Sequence, residues 1–327
     1  MAVLVTGGAG YIGSHTVLEL LKRGEEVVVI DNLLKGHKKA VLSEAKFFEG
    51  DIRDSEFLNQ IFMKNQIEAV VHFAADSLVG ESVKEPLKYY DNNVGGAISL
   101  LRAMTKHNVK KIVFSSTAAV YGEPDLVPIK ETIPANPTNP YGETKLAIEK
   151  MLKWAEQAYG IQHVVLRYFN VAGADLDCKL GEDHQPETHL IPIILQVAQG
   201  KREKIMIFGD NYDTSDGTCI RDYIHVTDLA NAHILAIQRL REGESSTVYN
   251  LGNGNGFSVK EVIEVSRKVT GKAIPAEVAP RREGDPGRLV ASSEKAAREL
   301  GWEPKYSALE TMIESAWKWF QKNPKGY

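Results

Sequence analysis

The chain has 327 residues, a length that corresponds to roughly two domains. Hydrophobic residues make up 43% and charged residues 25%, which excludes a disordered chain, a collagen-like repeat and a disulfide-stapled miniprotein. Lys and Arg total 39 against 43 Asp and Glu, so the net charge is −4 and offers no broad electrostatic footprint for nucleic acid.

The two cysteines, Cys178 and Cys219, form no C-x-x-C pair, and we expect both to be thiols in a reducing cytosol. The apolar run Ala2–Val5 is too short for a signal peptide. No apolar run reaches the roughly 18 residues of a membrane span. We therefore expect a cytoplasmic protein without membrane or nucleic-acid partners.

Short apolar runs alternate with helical patterns through the first half of the chain. Because most runs are continuously apolar, they predict strands buried on both faces of a parallel sheet. The predicted strands are Ala2–Val5, Glu26–Ile30, Lys46–Phe48, Ala69–Phe73, Lys111–Phe114 and His163–Tyr168. The predicted helices are Ser14–Arg23, Pro86–Lys106 and Thr144–Tyr159. Strand, helix and strand with short connections indicate an α/β fold, a Rossmann-like doubly wound parallel sheet.

The pattern becomes less regular after about residue 170. Asp175–Thr188 is polar and predicts a loop, whereas Val259–Val269 and Leu309–Gln321 predict helices, the first with Ser258 as its cap. We predict a large domain over residues 1–170, to which segments near 222–252 return. A smaller mixed α/β domain takes up mainly residues 171–327 and lies over the carboxyl end of the sheet.

The segment from Thr6 to Gly13 has the spacing G-x-x-G-x-x-G between the first strand and the first helix. The glycines allow a tight turn and a close backbone approach, and the helix N-terminus offers N–H groups to a pyrophosphate. An ordinary strand-to-helix turn is the alternative, but this context favours a dinucleotide site. The cofactor contacts predicted here are Gly7, Gly10, Tyr11, Ile12 and Gly13.

Asp31 ends the second predicted strand, 24 residues after Gly7. A carboxylate there accepts the ribose hydroxyls of an adenosine and repels a 2′-phosphate, which favours NAD over NADP. A turn or cap aspartate is the alternative. Asn32 follows it, and Asp51 and Ile52 end the third strand, where we expect the adenine edge.

Tyr141 and Lys145 stand four residues apart at the start of a helix, so they share one face. A phenol with a pKa of about 10 is a poor base at neutral pH. We expect the Lys145 ammonium and a positive nicotinamide ring to lower the pKa of Tyr141. Ser115, Ser116 and Thr117 lie at the tip of the preceding strand, where ligands bind in open α/β sheets.

These features together resemble the extended short-chain dehydrogenase/reductase superfamily. Further segments resemble its UDP-glucose 4-epimerase family, and the resemblance covers nearly the whole chain. The matching segments are Tyr89–Val94, Val120–Gly122, Arg167–Asn170, Arg221–Val226 and Pro280–Asp285. The resemblance implies reversible 4-epimerisation of UDP-galactose and UDP-glucose through a transient 4-keto sugar, with a tightly bound NAD that is recycled each cycle. It also implies a homodimer that pairs through helices of the large domain.

The resemblance assigns roles residue by residue. Tyr141 removes the proton of the sugar 4′-hydroxyl, Lys145 holds the nicotinamide ribose, and Thr117 hydrogen-bonds the 4′-oxygen. Further implied cofactor contacts are Phe73, Ala74, Ala75, Ser77, Asn92 and Phe169. The implied nucleotide-sugar contacts are Thr117, Tyr141, Asn170, His189, Leu190, Phe208, Arg221, Tyr223, Arg282, Asp285 and Leu289.

Three positions depart from the family pattern. Ser77 stands where many members have Lys, and His189 stands where an Asn is frequent. Leu289 is intermediate between the Tyr of members that use plain hexoses and the smaller residues of members that also accept N-acetylhexosamines. A 4-epimerase of UDP-N-acetylhexosamine or UDP-uronic acid therefore stays open.

Other classes fit the sequence less well. A 4,6-dehydratase of this fold has Asp-Glu after the strand-end Thr, where this chain has Ala118 and Ala119. A non-catalytic NAD-binding regulator need not keep the Thr, Tyr and Lys that are all present. Cys178, His184 and His189 match no familiar ligand spacing, so we predict no metal site.

Overall fold

The computed structural model describes residues 1–282 and 286–327. The strands are β1 (Ala2–Thr6), β2 (Val27–Asp31), β3 (Lys46–Glu49), β4 (Ile67–His72), β5 (Lys111–Thr117), β6 (Gln162–Tyr168), β7 (Asn170–Ala172), β8 (Ile205–Phe208), β9 (Ile220–Arg221), β10 (Tyr223–His225), β11 (Thr247–Leu251), β12 (Phe257–Ser258), β13 (Ala276–Ala279) and β14 (Arg288–Leu289). The α-helices are α1 (Tyr11–Lys22), α2 (Ser55–Lys64), α3 (Val79–Lys84), α4 (Pro86–Tyr89), α5 (Gly96–Lys106), α6 (Pro140–Tyr159), α7 (Leu190–Ala198), α8 (Val226–Arg241), α9 (Val259–Thr270), α10 (Glu294–Leu300) and α11 (Leu309–Lys322).

A seven-stranded parallel sheet in the order β11-β6-β5-β4-β1-β2-β3 forms the centre of the molecule. One of its faces packs on α2, α5 and α6, and the other packs on α1 and α8. The continuously apolar strands are therefore buried on both faces, and the predicted doubly wound fold is confirmed. The chain reverses its direction across the sheet between β1 and β4, which is where such folds bind ligands.

The second half of the chain contributes to both parts of the molecule. α8 packs on α1, and β11 pairs with β6 at the edge of the large sheet. The remaining strands form three small sheets, β10-β7, β12-β9-β14 and β13-β8. A separate apolar core lies among α7, α9 and α11. The polar segment Asp175–Thr188, which leads into α7, is a loop as predicted.

Local signals set several helix ends as expected. Ser258 forms a capping box with Glu261 at the start of α9, and Gly160 ends α6 in the left-handed conformation. The predicted helical stretch Pro86–Lys106 is confirmed, and it contains a π-helical turn, Tyr90–Gly95, between α4 and α5. The described residues contain no helix long and apolar enough to cross a membrane.

Candidate active site

A cavity of about 540 Å³ opens at the carboxyl edge of the sheet. Its wall combines the loop after β1, the ends of β2, β4 and β5, the first turn of α6 and the loop before α7. All the predicted cofactor contacts line it: Gly7, Gly10, Tyr11, Ile12, Gly13, Asp31, Asn32, Asp51, Ile52, Phe73, Ala74, Ala75, Ser77, Asn92, Tyr141, Lys145 and Phe169. Residues from seven separate parts of the sequence thus face one space.

The glycine loop is shaped by close backbone approaches. A Cβ at Gly7, which has φ +75°, would lie 2.6 Å from the Ala74 nitrogen, and one at Gly13 would lie 2.1 Å from the Gly7 oxygen. Gly10 precedes α1 and has no side chain to cap the first-turn N–H groups. The loop therefore presents bare backbone and a helix N-terminus, which fits a dinucleotide pyrophosphate.

Asp31 is held at the end of β2 by two backbone groups. Its Oδ2 accepts from the Ala9 nitrogen at 2.9 Å, and its Oδ1 accepts from the Leu33 nitrogen at 2.9 Å. Burial raises the pKa of Asp31, while these two hydrogen bonds lower it. Each carboxylate oxygen keeps a further acceptor position, so the fixed carboxylate fits the ribose diol of an adenosine.

Asp51 borders the cavity beside Asp31. A hydrogen-bonded Arg53 guanidinium lowers the pKa of Asp51 to about 2. Asn32 also donates to Asp51 Oδ2 at 3.3 Å. Asp51 is therefore an ionised, fixed acceptor at the end of the cavity where the adenine is expected.

Tyr141 lies in the first turn of α6, which begins at Pro140 rather than at the predicted Thr144. Asn139 caps this helix by accepting from the Gly142 nitrogen at 2.9 Å. Burial raises the pKa of Tyr141 to about 12, and a hydrogen bond with Thr117 lowers it. The structure therefore pairs the two hydroxyls that the sequence placed at the reacting end.

Lys145 is buried one turn further along α6. Its Nζ donates to the Ser115 carbonyl at 2.8 Å and lies 6.0 Å from the centre of the Tyr141 ring. Burial lowers the pKa of Lys145 to about 7, against the attraction of Glu149. Burial is the largest influence on both groups in the protein alone, and the lowering of the Tyr141 pKa by Lys145 together with a nicotinamide ring stays a prediction.

A buried ion pair lies beneath Lys145. Glu149 accepts from Arg167 Nε at 2.9 Å and from Arg167 Nη2 at 2.5 Å, and Ser116 Oγ donates to it at 2.6 Å. Arg167 also donates to Tyr121, which donates to Asn250 on β11 at 2.7 Å. This network joins α6 to β5, β6 and β11 directly under the site.

The predicted substrate residues fall into two groups. Those that line the cavity are Thr117, Tyr141, Asn170, His189 and Leu289. Leu190 is the first residue of α7 and packs on the smaller core, and Tyr223 is buried in that core beside Phe257. Burial of Tyr223 to 3% exposure leaves no surface for the predicted contact.

The cationic residues of this group lie in the smaller part of the molecule. Arg221 donates to the carbonyls of Ile220 and Pro286, both at 2.9 Å. The Arg282 guanidinium lies 4.0 Å from the centre of the Phe208 ring, so these two predicted contacts stack on each other. The predicted contact Asp285 lies outside the described residues.

Comparisons with known proteins agree with this geometry. The model of the NAD dependent epimerase/dehydratase family matches residues 3–252. The chain belongs to this family. The UDP-glucose 4-epimerase of Halalkalibacterium halodurans is 66% identical and covers 100% of this chain and 98% of the relative.

Two crystal structures extend the likeness to the whole fold. A UDP-glucose 4-epimerase that is 60% identical has a TM-score of 0.99 and covers 100% of this chain and 99% of its own. The Bifidobacterium longum UDP-glucose 4-epimerase, in complex with NAD⁺ and UDP, is 42% identical with a TM-score of 0.94, and the match covers 100% of both chains. The family match and the glycine loop agree on NAD as the cofactor.

The loop before α7 contributes more residues to the cavity than the sequence predicted. Glu182, His184, Gln185 and Pro186 line the cavity together with His189. One acceptor or donor atom from each of Glu182, His184, Glu187 and His189 lies within 4.8 Å of the other three. The signal that would have found this cluster is the spacing E-x-H-x-x-E-x-H.

Proposed function

We propose that this chain interconverts UDP-galactose and UDP-glucose by reversible oxidation at C4 of the sugar. The proposal rests on one arrangement: Thr117, Tyr141 and Lys145 meet in the same cavity as a bare glycine loop. Two relatives named UDP-glucose 4-epimerase, which are 66% and 60% identical to this chain, support the proposal. When bound, NAD⁺ supplies reversible two-electron chemistry, so the overall reaction is an isomerisation.

In this proposal Tyr141 moves the proton of the 4′-hydroxyl. As a phenolate, Tyr141 would take this proton while C4 is oxidised, and as a phenol it would return a proton to the sugar oxygen when C4 is reduced again. Burial raises the pKa of Tyr141 to about 12, whereas its hydrogen bond with Thr117 lowers this pKa and so favours the phenolate that accepts the proton. Lys145, fixed on the Ser115 carbonyl, is the amine that the chain itself places 6.0 Å from the centre of the Tyr141 ring.

The nucleotide would be held by the smaller part of the molecule. Phe208 offers a ring face to uracil, and Arg221 and Arg282 offer guanidinium groups to the diphosphate. The Arg282 guanidinium lies 4.0 Å from the centre of the Phe208 ring, so the two groups are close enough to contact one nucleotide. Asn170, Leu190, Leu289 and the predicted Asp285 complete the proposed sugar and nucleotide contacts.

The test supplies purified protein with UDP-galactose and no added cofactor, and identifies the product by chromatography. We expect UDP-glucose from the wild type and a loss of about 10²- to 10⁴-fold in rate for Tyr141→Phe. Tyr159→Phe is the matched control, because Tyr159 ends the same helix and is 54% exposed. NAD released by denaturing Tyr141→Phe should equal that of the wild type.

Other outcomes of this assay separate the alternatives. A near-normal rate in Tyr141→Phe would exclude Tyr141 as the acid–base group. Turnover of UDP-N-acetyl sugars or UDP-uronic acids, but not of UDP-galactose, would move the proposal to another sugar class. Retained NAD with no turnover of any of these sugars would favour a non-catalytic regulator.

The proposed working form is a homodimer in the cytoplasm. Neighbouring helices of the large domain expose Leu87 to 81% and Trp154 to 70%, which suits an interface between two copies. Cys178 and Cys219 are thiols, as expected in a reducing compartment. Light scattering at micromolar concentration should give twice the mass of one chain, and the mass of a single chain would contradict the dimer.

A further inference from the structure

Four side chains of the loop before α7 converge on one point. His189 Nδ1 lies 2.9 Å from Glu182 Oε1, and His184 Nδ1 lies 3.1 Å from the same oxygen. Glu187 approaches both rings, with Oε2 at 3.8 Å from His184 Nδ1 and Oε1 at 3.0 Å from His189 Nδ1. Two carboxylates and two imidazoles thus face one another over a span of eight residues.

These separations lie within about 0.4 Å of the edges of a small tetrahedron of metal ligands. Ligands bonded to zinc at about 2.0–2.2 Å lie roughly 3.3–3.6 Å from one another in tetrahedral geometry. Glu182 Oε1 lies 3.1 Å from His184 Nδ1 and 2.9 Å from His189 Nδ1, and Glu187 Oε2 lies 3.8 Å from His184 Nδ1. Glu187 Oε1 already accepts from the backbone nitrogens of Thr188 and His189, which leaves Oε2 for a metal.

The charges of the cluster point to a cation. The Glu182 and Glu187 side chains are only 5% and 3% exposed, and two buried carboxylates that face one centre repel each other unless positive charge lies between them. With neutral imidazoles, one divalent ion balances both carboxylates. Nitrogen ligands favour zinc over magnesium or calcium, which prefer oxygen.

We propose that Glu182, His184, Glu187 and His189 bind one Zn²⁺. With four protein ligands the site is closed and structural, so the metal takes no part in the chemistry at Tyr141. Binding would fix the loop against the glycine end of the cavity, where the His184 ring meets the Tyr11 ring edge to face at 6.2 Å. It would also anchor His189, the residue that precedes α7.

The opposing account is a set of ion pairs without metal. If both imidazoles are protonated, two cations balance two carboxylates, and the separations near 3 Å are N–H···O hydrogen bonds. The two accounts differ in metal content and not in activity. Their test is therefore independent of whether the proposed epimerisation is correct.

The experiment measures zinc per chain by mass spectrometry in the NAD-loaded protein after removal of any affinity tag, with and without added Zn²⁺. We expect about one zinc per wild-type chain. His184→Gln and Glu187→Gln should each lose it. His37→Gln is the matched control, since His37 bonds the neighbouring Asp183 carbonyl at 2.7 Å but is outside the cluster, and it should keep its zinc.

A second measurement replaces zinc with cobalt. Co²⁺ added to protein stripped with a chelator should give the strong visible absorption of a tetrahedral site in the wild type and in His37→Gln, and none in His184→Gln. A wild-type protein that takes up neither ion overturns the proposal and leaves the protonated ion pairs. Zinc that persists in both cluster variants, or that is lost from His37→Gln as well, overturns the assignment to these four side chains.

Discussion

The burial of the Glu149–Arg167 ion pair lets us predict how much stability the protein loses when the Glu149 charge is removed. Glu149 is 2% and Arg167 7% exposed, and Glu149 accepts three hydrogen bonds, two of them from the guanidinium. Glu149→Gln keeps the shape but removes the charge and turns one acceptor into a donor that faces a donor. Breaking one partner of a buried pair costs about 3–5 kcal/mol, so we expect the free energy of unfolding to fall by that amount.

Urea-induced unfolding followed by circular dichroism measures this loss. Glu156→Gln is the control on the same helix: Glu156 is 37% exposed at its side chain and accepts from Ser246 at 2.6 Å, a bond that Gln retains. We expect the control to lose less than about 1 kcal/mol. Equal losses in the two variants would refute the reasoning, as would a rise in stability on removing Glu149 alone.

The remaining predictions concern the glycine loop and Lys145. Gly13→Ala would place a Cβ 2.1 Å from the Gly7 oxygen, so this variant should no longer retain NAD. Gly80→Ala is the control, because its Cβ would have no atom within 4 Å, and it should retain NAD. Equal NAD content in the two purified variants would contradict the close packing at Gly13. Burial lowers the pKa of Lys145 from 10.5 to about 7, so between these pH values the unfolded chain holds more protons than the folded one. The unfolding free energy of the wild type, relative to Lys145→Met, should therefore rise by up to about 1.4 kcal/mol per pH unit between about pH 7 and pH 10.5, and parallel curves would contradict the lowered pKa of the buried Lys145.

The large sheet could be predicted from the sequence because each strand carries its own signal. A run such as Val27–Ile30 is apolar at every position, and only a strand covered on both faces requires that. The turn around Gly7 and Gly13 could also be predicted, because glycine is the only residue that leaves room for the backbone there. These signals are local in the chain.

Features that depend on distant contacts could not be predicted. The π-helical turn before α5 positions Asn93. The side-chain amide of Asn93 accepts a hydrogen bond from the Asp76 nitrogen and donates to the Asp76 carbonyl and to Thr144 Oγ1. Nothing within the segment Pro86–Lys106 indicates those partners. The rise in the pKa of Tyr141 likewise follows from its complete burial. The spacing between Tyr141 and Lys145 in the sequence does not indicate that burial.

His189 shows how a departure from a family pattern can be misread when it is considered alone. In the sequence His189 stands where an Asn is frequent, and together with Cys178 and His184 it matches no familiar ligand spacing. The fold turns both rings onto the same two carboxylates, and Glu182 Oε1 lies within 3.1 Å of each ring. The change at 189 is therefore meaningful only together with Glu182, His184 and Glu187. His189→Asn should remove zinc while leaving the fold of α7 in place, since the helix starts on backbone groups and not on the imidazole.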